Sequence, residues 1–135
     1  MRKSIGSKKI KTAVFISGKG SNLKNLIKYS KNKKYPFSIN LIFSNTNKAK
    51  GLKYSKKYKI EKKIIGYDKT IRTDKRILRI LNQKEIKLIC LAGFMKILSK
   101  NFIKKFKGKI INIHPSLLPK YKGLNTHIRA IRNKE

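Results

Sequence analysis

Short apolar runs alternate along this chain with longer segments in which apolar residues recur every three or four positions. Five runs are rich in β-branched residues and apolar on both faces, which is typical of parallel strands covered by helices on both sides. These predicted strands are TAVFIS (12–17), SINLIFS (38–44), KKIIG (62–66), KLICLAG (87–93) and KIINIH (109–114).

The segments between these runs have the apolar spacing of amphipathic helices. The predicted helices are 21–31, 48–58, 73–85 and 99–106, with a further helix beginning in 126–133. Asp74 and Ser99 are the predicted N-caps of the third and fourth helices, because short oxygen-bearing side chains satisfy free helical amides. Repeated βα units indicate a doubly wound α/β fold, with a mostly parallel sheet and helices on both faces.

The length of 135 residues suits one domain with a real core. We expect residues 1–11 to be a basic N-terminal extension and residues 12–135 to form the domain. The apolar run near the N-terminus is too short for a secretory signal, and no run approaches the ~20 apolar residues of a membrane span. We therefore expect a cytoplasmic protein with no membrane partner.

The net charge of +32 raises the question of a nucleic-acid partner. Only six of the 37 basic residues are Arg, the residue that dominates bidentate phosphate and base recognition. The Lys residues are spread along the chain between apolar positions, as on a solvated surface. Composition therefore favours a general basic surface over a specific nucleic-acid site.

Cysteine and histidine are scarce, with one Cys and two His in the chain. Cys90 lies within an apolar strand and is interpreted as a small hydrophobic residue, and no internal disulfide is possible. The His, Cys and acidic residues do not cluster at metal-ligand spacing, so we expect no metal site.

The unusual residues of the chain follow the first, fourth and fifth predicted strands. These segments are SGKGSN (17–22), AGFMKIL (92–98) and NIHPSLLPKYKG (112–123). In an open parallel sheet, ligands bind beyond the carboxyl ends of the strands near the switch in strand order. We therefore expect the three segments to share one edge of the sheet.

SGKGSN is a glycine-rich turn that leads into a helix, with Gly18 and Gly20 free to adopt backbone angles closed to other residues. Amides at a helix N-terminus favour an anion, so the turn predicts a phosphate site; a tight turn with a capping Ser is the alternative. We expect a side chain at Gly20 to intrude on that anion. Leu23 stands where the third Gly of a dinucleotide fingerprint would be, which argues against that class of protein.

His114 at a strand exit can transfer a proton near neutral pH. Asn112, two residues earlier, lies on the same face of the strand and can donate to the same reacting atom. The pair fits a developing oxyanion, with Asn112 as a fixed donor and His114 as general acid or charged donor; a structural His beside a turn is the alternative. In AGFMKIL, the residues Met95, Ile97 and Leu98 can line a slot for a flat ring; packing in the core is the alternative.

Taken in order, these three segments resemble those of the phosphoribosylglycinamide formyltransferases, from about Thr12 to the last residue. The resemblance implies a Rossmann-like formyltransferase fold. It also implies transfer of a formyl group from the co-substrate 10-formyltetrahydrofolate to the amine of glycinamide ribonucleotide in purine biosynthesis. Both partners are then small molecules, with no specific nucleic acid.

The resemblance also implies roles for single residues. The phosphate of the ribonucleotide would be held by Gly20, Ser21 and Asn22. The folate pocket would be lined, chiefly through the backbone, by Met95, Lys96, Ile97 and Leu98. Asn112 would contact the formyl donor and His114 would be the catalytic acid.

The sequence departs from the family pattern at several positions. Lys96 stands where Arg is common, Asn125 replaces a loop His, and Arg72 is not assigned the role of a folate-binding Arg. The family motif H-G-x-S-V-H…D-x-G, which supplies an Asp beside the catalytic His, does not occur. We therefore expect the chain to be the N-terminal part of the enzyme, with the C-terminal part missing, and to be inactive by itself.

Three other functions fit the sequence less well. Methionyl-tRNA formyltransferases share a loop like NIHPSLLP, but their motif continues into R-G-A-A-P rather than KGLNTH. Formyltetrahydrofolate deformylases tend to have His-His where this chain has His114 and Pro115. A basic nucleic-acid-binding module without catalysis leaves the three convergent segments unexplained and lacks the aromatic pattern of single-strand binders.

Overall fold

The computed structural model describes residues 8–113 and the backbone of residues 128–130. The described strands are β1 Ile10–Ile16, β2 Phe37–Ser44, β3 Lys62–Ile64, β4 Leu88–Leu91, β5 Lys109–Ile113 and β6 Ile128–Ala130. The described helices are α1 Ser21–Ser30, α2 Lys53–Tyr58, α3 Ile71–Gln83 and α4 Lys100–Lys105, with a 3-10 turn at Lys50–Leu52 ahead of α2.

The strands form one sheet in the order β3-β2-β1-β4-β5-β6. All neighbouring pairs are parallel except β5 and β6. The chain builds outward from β1 to β3 on one side, then returns to place β4 and β5 on the other side of β1. The predicted α/β fold with a mostly parallel sheet is confirmed, and the switch in strand order lies between β1 and β4.

Each face of the sheet carries its own core. On one face, Phe15 at the centre of the sheet is fully buried and its ring lies 4.4 Å from that of Phe43 and 6.4 Å from that of Phe102 in α4. On the other face, Ile16 and its neighbours pack against the apolar side of α1, where Leu23 is buried. The predicted helical cover on both faces is therefore confirmed.

The predicted helix at 126–133 is wrong for its described part, because Ile128–Ala130 is a strand. These residues pair antiparallel with β5, with Ile111 opposite Ala130 and Ile113 opposite Ile128. Without β6, the outer backbone groups of β5 would lack a ladder partner, and unpaired strand edges are unfavourable. Tertiary pairing therefore overrides local helical spacing here.

Two other predictions also need correction. Asp74 is not an N-cap: α3 begins earlier, and Thr70 caps it by accepting a hydrogen bond from the amide of Thr73. β3 is not buried on both faces, because Lys62 and Ile64 are exposed on this edge strand. The prediction for Ser99 is confirmed, since its side chain accepts from the amide of Phe102 at the start of α4.

β1 begins two residues earlier than predicted. The amide of Ile10 donates to the carbonyl of Pro36 at 2.9 Å, and Ile10 pairs with Phe37 of β2. The strand therefore enters the segment predicted as a basic extension, while the division of the chain at residue 12 stays a prediction.

Candidate functional site

The parallel strands β1, β4 and β5 lie side by side, with Leu91 in register with both Phe15 and Asn112. Their carboxyl ends therefore meet at one edge of the sheet. Residues 17–22, here called the glycine loop, leave this edge after β1, and residues 93–98, the methionine loop, leave it after β4. For these described segments, the predicted convergence is confirmed.

Ser17 joins the loops that follow three strands. Its Oγ accepts a hydrogen bond from the amide of Met95 at 2.8 Å and donates to Oδ1 of Asn45 at 2.6 Å. The loops after β1, β2 and β4 are thus linked through one hydroxyl. Sequence reasoning placed Ser17 in the glycine loop but had no signal for this bridging contact.

Gly20 is required by the fold around it. It has a φ of +80°, and a Cβ built on it would lie 2.7 Å from the Cα of Gly51. The amide of Gly51 also donates to the carbonyl of Gly18 at 2.9 Å. A side chain at Gly20 would therefore meet the backbone at Gly51, and the expectation that it would also intrude on an anion stays a prediction.

The N-terminus of α1 opens at the glycine loop. Gly20 is its N-cap and has no side-chain capping bond, and no acidic residue lies in the first turn. Ser21 is exposed and Asn22 is half-buried, so polar side chains accompany the first amides. The positive end of the helix dipole and these donors favour a negatively charged ligand.

The methionine loop exposes apolar surface at the same edge. Met95 and Ile97 are 78% and 76% exposed, and Lys96 between them is also exposed. Leu98 is 7% exposed and belongs to the core around Phe15, so the alternative of core packing holds for its side chain. An exposed pair of apolar side chains beside a polar helix terminus is suited to a ligand with an apolar ring system.

The two loops pass to opposite faces of the sheet. The glycine loop leads into α1, which covers the face that carries Ile16. The methionine loop runs over the other face, where the ring of Phe94 lies 5.3 Å from that of Phe15. The carboxyl ends of β1 and β4 therefore lie between a surface suited to an anion and a surface suited to an apolar ring.

Asn112 is half-buried near the end of β5, in the row of residues that contains Phe15 and Leu91. This places it at the same edge as the two loops. His114 lies outside the described residues, so its role as an acid stays a prediction. The rest of the third predicted segment, residues 115–123, also lies outside the described residues, so its place at this edge stays a prediction.

The structure shows a buried polar cluster that sequence reasoning missed. Asp74 is 0% exposed and accepts hydrogen bonds from the hydroxyl of Tyr67 at 2.9 Å, the hydroxyl of Ser99 at 2.7 Å and the side-chain amide of Asn101 at 3.0 Å. The amide of Ser99 donates back to the Tyr67 hydroxyl at 2.9 Å. The cluster links α3 to the end of the methionine loop.

Burial raises the pKa of two acidic side chains, Tyr67 and Cys90, which belong to the cores on opposite faces of the sheet. It raises the pKa of Tyr67, so the hydroxyl stays protonated and donates to Asp74. It also raises the pKa of the Cys90 thiol to about 12, so the thiol is a poor nucleophile at neutral pH. The interpretation of Cys90 as a buried hydrophobic residue agrees with this environment.

Within residues 8–113, no three His, Cys, Asp or Glu side chains form a group suited to a metal ion. The described helices also include none with the length and apolar content needed to cross a membrane. The expected absence of a metal and the expected cytoplasmic location stay predictions.

Known proteins resemble this chain in sequence. The formyl transferase family model matches residues 10–135. The chain is 43% identical over 124 residues to the phosphoribosylglycinamide formyltransferase of Haemophilus influenzae, a match that covers 90% of the chain and 58% of the relative. It is 44% identical over 126 residues to the trifunctional purine biosynthetic protein adenosine-3 of Gallus gallus, covering 91% of the chain and 13% of that protein.

Solved structures resemble it in fold. The phosphoribosylglycinamide formyltransferase of Brucella melitensis superposes with a TM-score of 0.74 at 36% identity, covering 88% of this chain and 64% of that one. The chain thus spans less than two thirds of the length of these relatives. With a family match over nearly all of its residues and a matching sheet, the chain belongs to the formyl transferase family.

Proposed function

We propose that the chain carries the substrate-binding edge of a phosphoribosylglycinamide formyltransferase. In this reaction, the amine of glycinamide ribonucleotide attacks the formyl carbon of 10-formyltetrahydrofolate. The new carbon–nitrogen bond forms and the attacking nitrogen gives up one proton, while the bond from the formyl carbon to N10 breaks and N10 leaves with one proton. The observation that carries the proposal is the meeting of the glycine loop, the methionine loop and Asn112 at one edge of the sheet.

The ribonucleotide is assigned to the glycine loop. Its phosphate binds the first amides of α1 through Gly20, Ser21 and Asn22, supported by the uncapped N-terminus and the absence of an acidic residue in the first turn of that helix. The positive charge of the chain adds a favourable field for a dianion. This binding orients the amine of the ribonucleotide toward the carboxyl end of the sheet.

The folate is assigned to the methionine loop. The exposed side chains of Met95 and Ile97 offer apolar surface for its ring system, and the backbone of Lys96 and Leu98 offers hydrogen-bonding groups. The link from Met95 to Ser17 supports the assignment, because it holds the two proposed binding surfaces together.

The chemistry is assigned to Asn112 and His114. Asn112 donates to the formyl oxygen as charge develops there, and His114 supplies the proton to the leaving N10. One such donor contributes roughly 10²–10³ in rate, and general acid catalysis contributes roughly 10²–10⁴. No metal takes part in this scheme.

The first test measures binding of the ribonucleotide to residues 1–135. Glycinamide ribonucleotide at about 100 times its Kd should raise the unfolding free energy by about 2.7 kcal/mol. Inorganic phosphate at the same concentration serves as a comparison for general anion binding. Equal stabilisation by both ligands would contradict a site built for the ribonucleotide.

The second test measures formyl transfer, in residues 1–135 and in the same chain joined to the C-terminal part of the Haemophilus influenzae relative. The joined protein should formylate glycinamide ribonucleotide, and His114→Ala should lower its turnover by about 10²–10⁴ while leaving ribonucleotide affinity unchanged. A joined protein that binds neither substrate would refute the proposed function.

A further inference from the structure

The methionine loop is held at both of its ends. At its start, the amide of Met95 donates to Ser17. Just after its end, the amide of Ser99 donates to Tyr67, and the Ser99 hydroxyl donates to Asp74 while accepting from the amide of Phe102. From the first anchor to the second, the loop exposes the side chains of Met95, Lys96 and Ile97.

Asp74 is the centre of the second anchor. One carboxylate oxygen accepts from Tyr67, and the other accepts from Ser99 and Asn101. Tyr67 and Ser99 also contact each other, so the three residues form a closed ring of hydrogen bonds. A closed ring fixes the position of its members, because displacing either hydroxyl oxygen breaks both the bond it donates and the bond it accepts.

This arrangement is costly for stability alone. Asp74 is fully buried, and its three donors are neutral. Burying a carboxylate carries a large desolvation cost, and apolar residues in such positions are often equally or more stabilising. A role in geometry accounts better for a carboxylate at this place than a role in stability.

We propose that Asp74 is a positioning residue for the folate: through Tyr67 and Ser99 it fixes the backbone of the methionine loop in its binding conformation. The inference rests on the proposed function, because it assigns the methionine loop to the folate. It also makes a separate claim about the loop itself, namely that Asp74 restricts motion as far away as Met95.

The principal variant is Asp74→Asn, which keeps the side-chain shape and removes the charge and one acceptor. The Asn amide group would face donors at positions where the carboxylate accepted. Tyr67→Phe is the second variant, and it removes the oxygen between Ser99 and Asp74 while leaving the Asp74 contacts with Ser99 and Asn101. It keeps the inference testable should Asp74→Asn fail to fold.

The matched control is Leu81→Ala, which lies in the same helix and is 1% exposed in the same core. This variant is expected to lower thermal stability without touching the polar cluster. Comparison with it separates the effect of loop geometry from that of a generally weakened domain.

Two readouts are measured on each variant. The first is hydrogen exchange at the amides of Met95 and Ser99 in residues 1–135, which needs no ligand. The second is the Kd for 10-formyltetrahydrofolate and, separately, for glycinamide ribonucleotide, in the joined protein. Asp74→Asn should raise exchange at both amides at least tenfold and weaken folate binding at least tenfold, with ribonucleotide affinity within twofold of the wild type.

Unchanged exchange at Met95 in both Asp74→Asn and Tyr67→Phe would overturn the inference, and so would an equal loss of both ligands. The same loss of folate affinity in Leu81→Ala would overturn it too, since that result would make the effect one of stability. A wild-type protein that does not bind the folate would refute the proposed function, and the exchange data would still decide whether Asp74 fixes the loop.

Discussion

The close approach of Gly20 and Gly51 makes a quantitative prediction about the glycine loop. An alanine at Gly20 would carry two separate penalties. Its φ of +80° lies in the left-handed region, and its Cβ would lie 2.7 Å from the Cα of Gly51. Backbone at that distance cannot yield as the end of a flexible side chain can, so α1 or the 3-10 turn must shift.

The chain supplies a matched set of glycines that separates these penalties. Gly18 has neither, because it lacks a positive φ and has nothing within 4 Å of its Cβ position. Gly93 has only the backbone penalty, with a φ of +76° and open space around it. Gly51 has only the steric penalty, with Ile16 at 2.8 Å and Gly20 at 2.9 Å.

The expected losses in unfolding free energy follow from these environments. A left-handed backbone costs an alanine about 1–2 kcal/mol, which is the expectation for Gly93→Ala. Overpacking costs about 1–3 kcal/mol, which is the expectation for Gly51→Ala. Gly20→Ala should lose about 2–5 kcal/mol, the sum of both. Gly18→Ala should be neutral or stabilise by up to about 1 kcal/mol, because it restricts the unfolded chain.

The assay is urea unfolding of the four variants and the wild type, followed by far-UV circular dichroism under one set of conditions. The order of loss should be Gly20, then Gly51 and Gly93, then Gly18. A Gly20→Ala variant no less stable than Gly93→Ala would refute the close approach to Gly51. Destabilisation by Gly18→Ala as large as that by Gly20→Ala would show that the loop is sensitive to any side chain.

Three further predictions concern the rest of the domain. Burial raises the pKa of Cys90 from 9.0 to about 12, so the thiol ionises first in the unfolded chain and the free energy of unfolding falls above pH 9. Between about pH 8 and about pH 10, the wild type should lose about 1.4 kcal/mol more of this free energy than Cys90→Ala does. An equal loss in both proteins would contradict this prediction. Thr70→Ala removes the cap that accepts from Thr73 and should cost about 1 kcal/mol in urea unfolding; Thr70→Ser keeps the oxygen and should cost less. With a net charge of +32, raising NaCl from about 0.1 M to about 1 M should raise Tm, because the Debye length falls from about 10 Å to about 3 Å; a falling Tm would show that attractive pairs dominate the surface.

Much of the fold can be read from local pattern. The predicted strands lie where short β-branched runs occur, because a parallel strand covered on both faces must be apolar on both sides. The convergence of the glycine and methionine loops follows from parallel topology alone, since the carboxyl ends of adjacent strands share an edge. Asn112 could be placed at that edge by the same reasoning. The N-cap at Ser99 could also be predicted, because it depends on residues close to it in the chain.

The errors fall where a residue's role depends on a distant partner. Asp74 has the sequence context of a helix start, yet it lies in the core because Tyr67 and Ser99 supply its hydrogen bonds. Gly51 stands in an ordinary amphipathic segment, and nothing near it in the chain shows that it touches Gly20. Residues 128–130 have helical spacing, but they form a strand because they pair with the otherwise unpaired edge of β5. Local propensities contribute tenths of a kcal/mol per residue, whereas a buried carboxylate or backbone group left without a hydrogen-bond partner costs several kcal/mol. The long-range contacts that supply those partners therefore prevail.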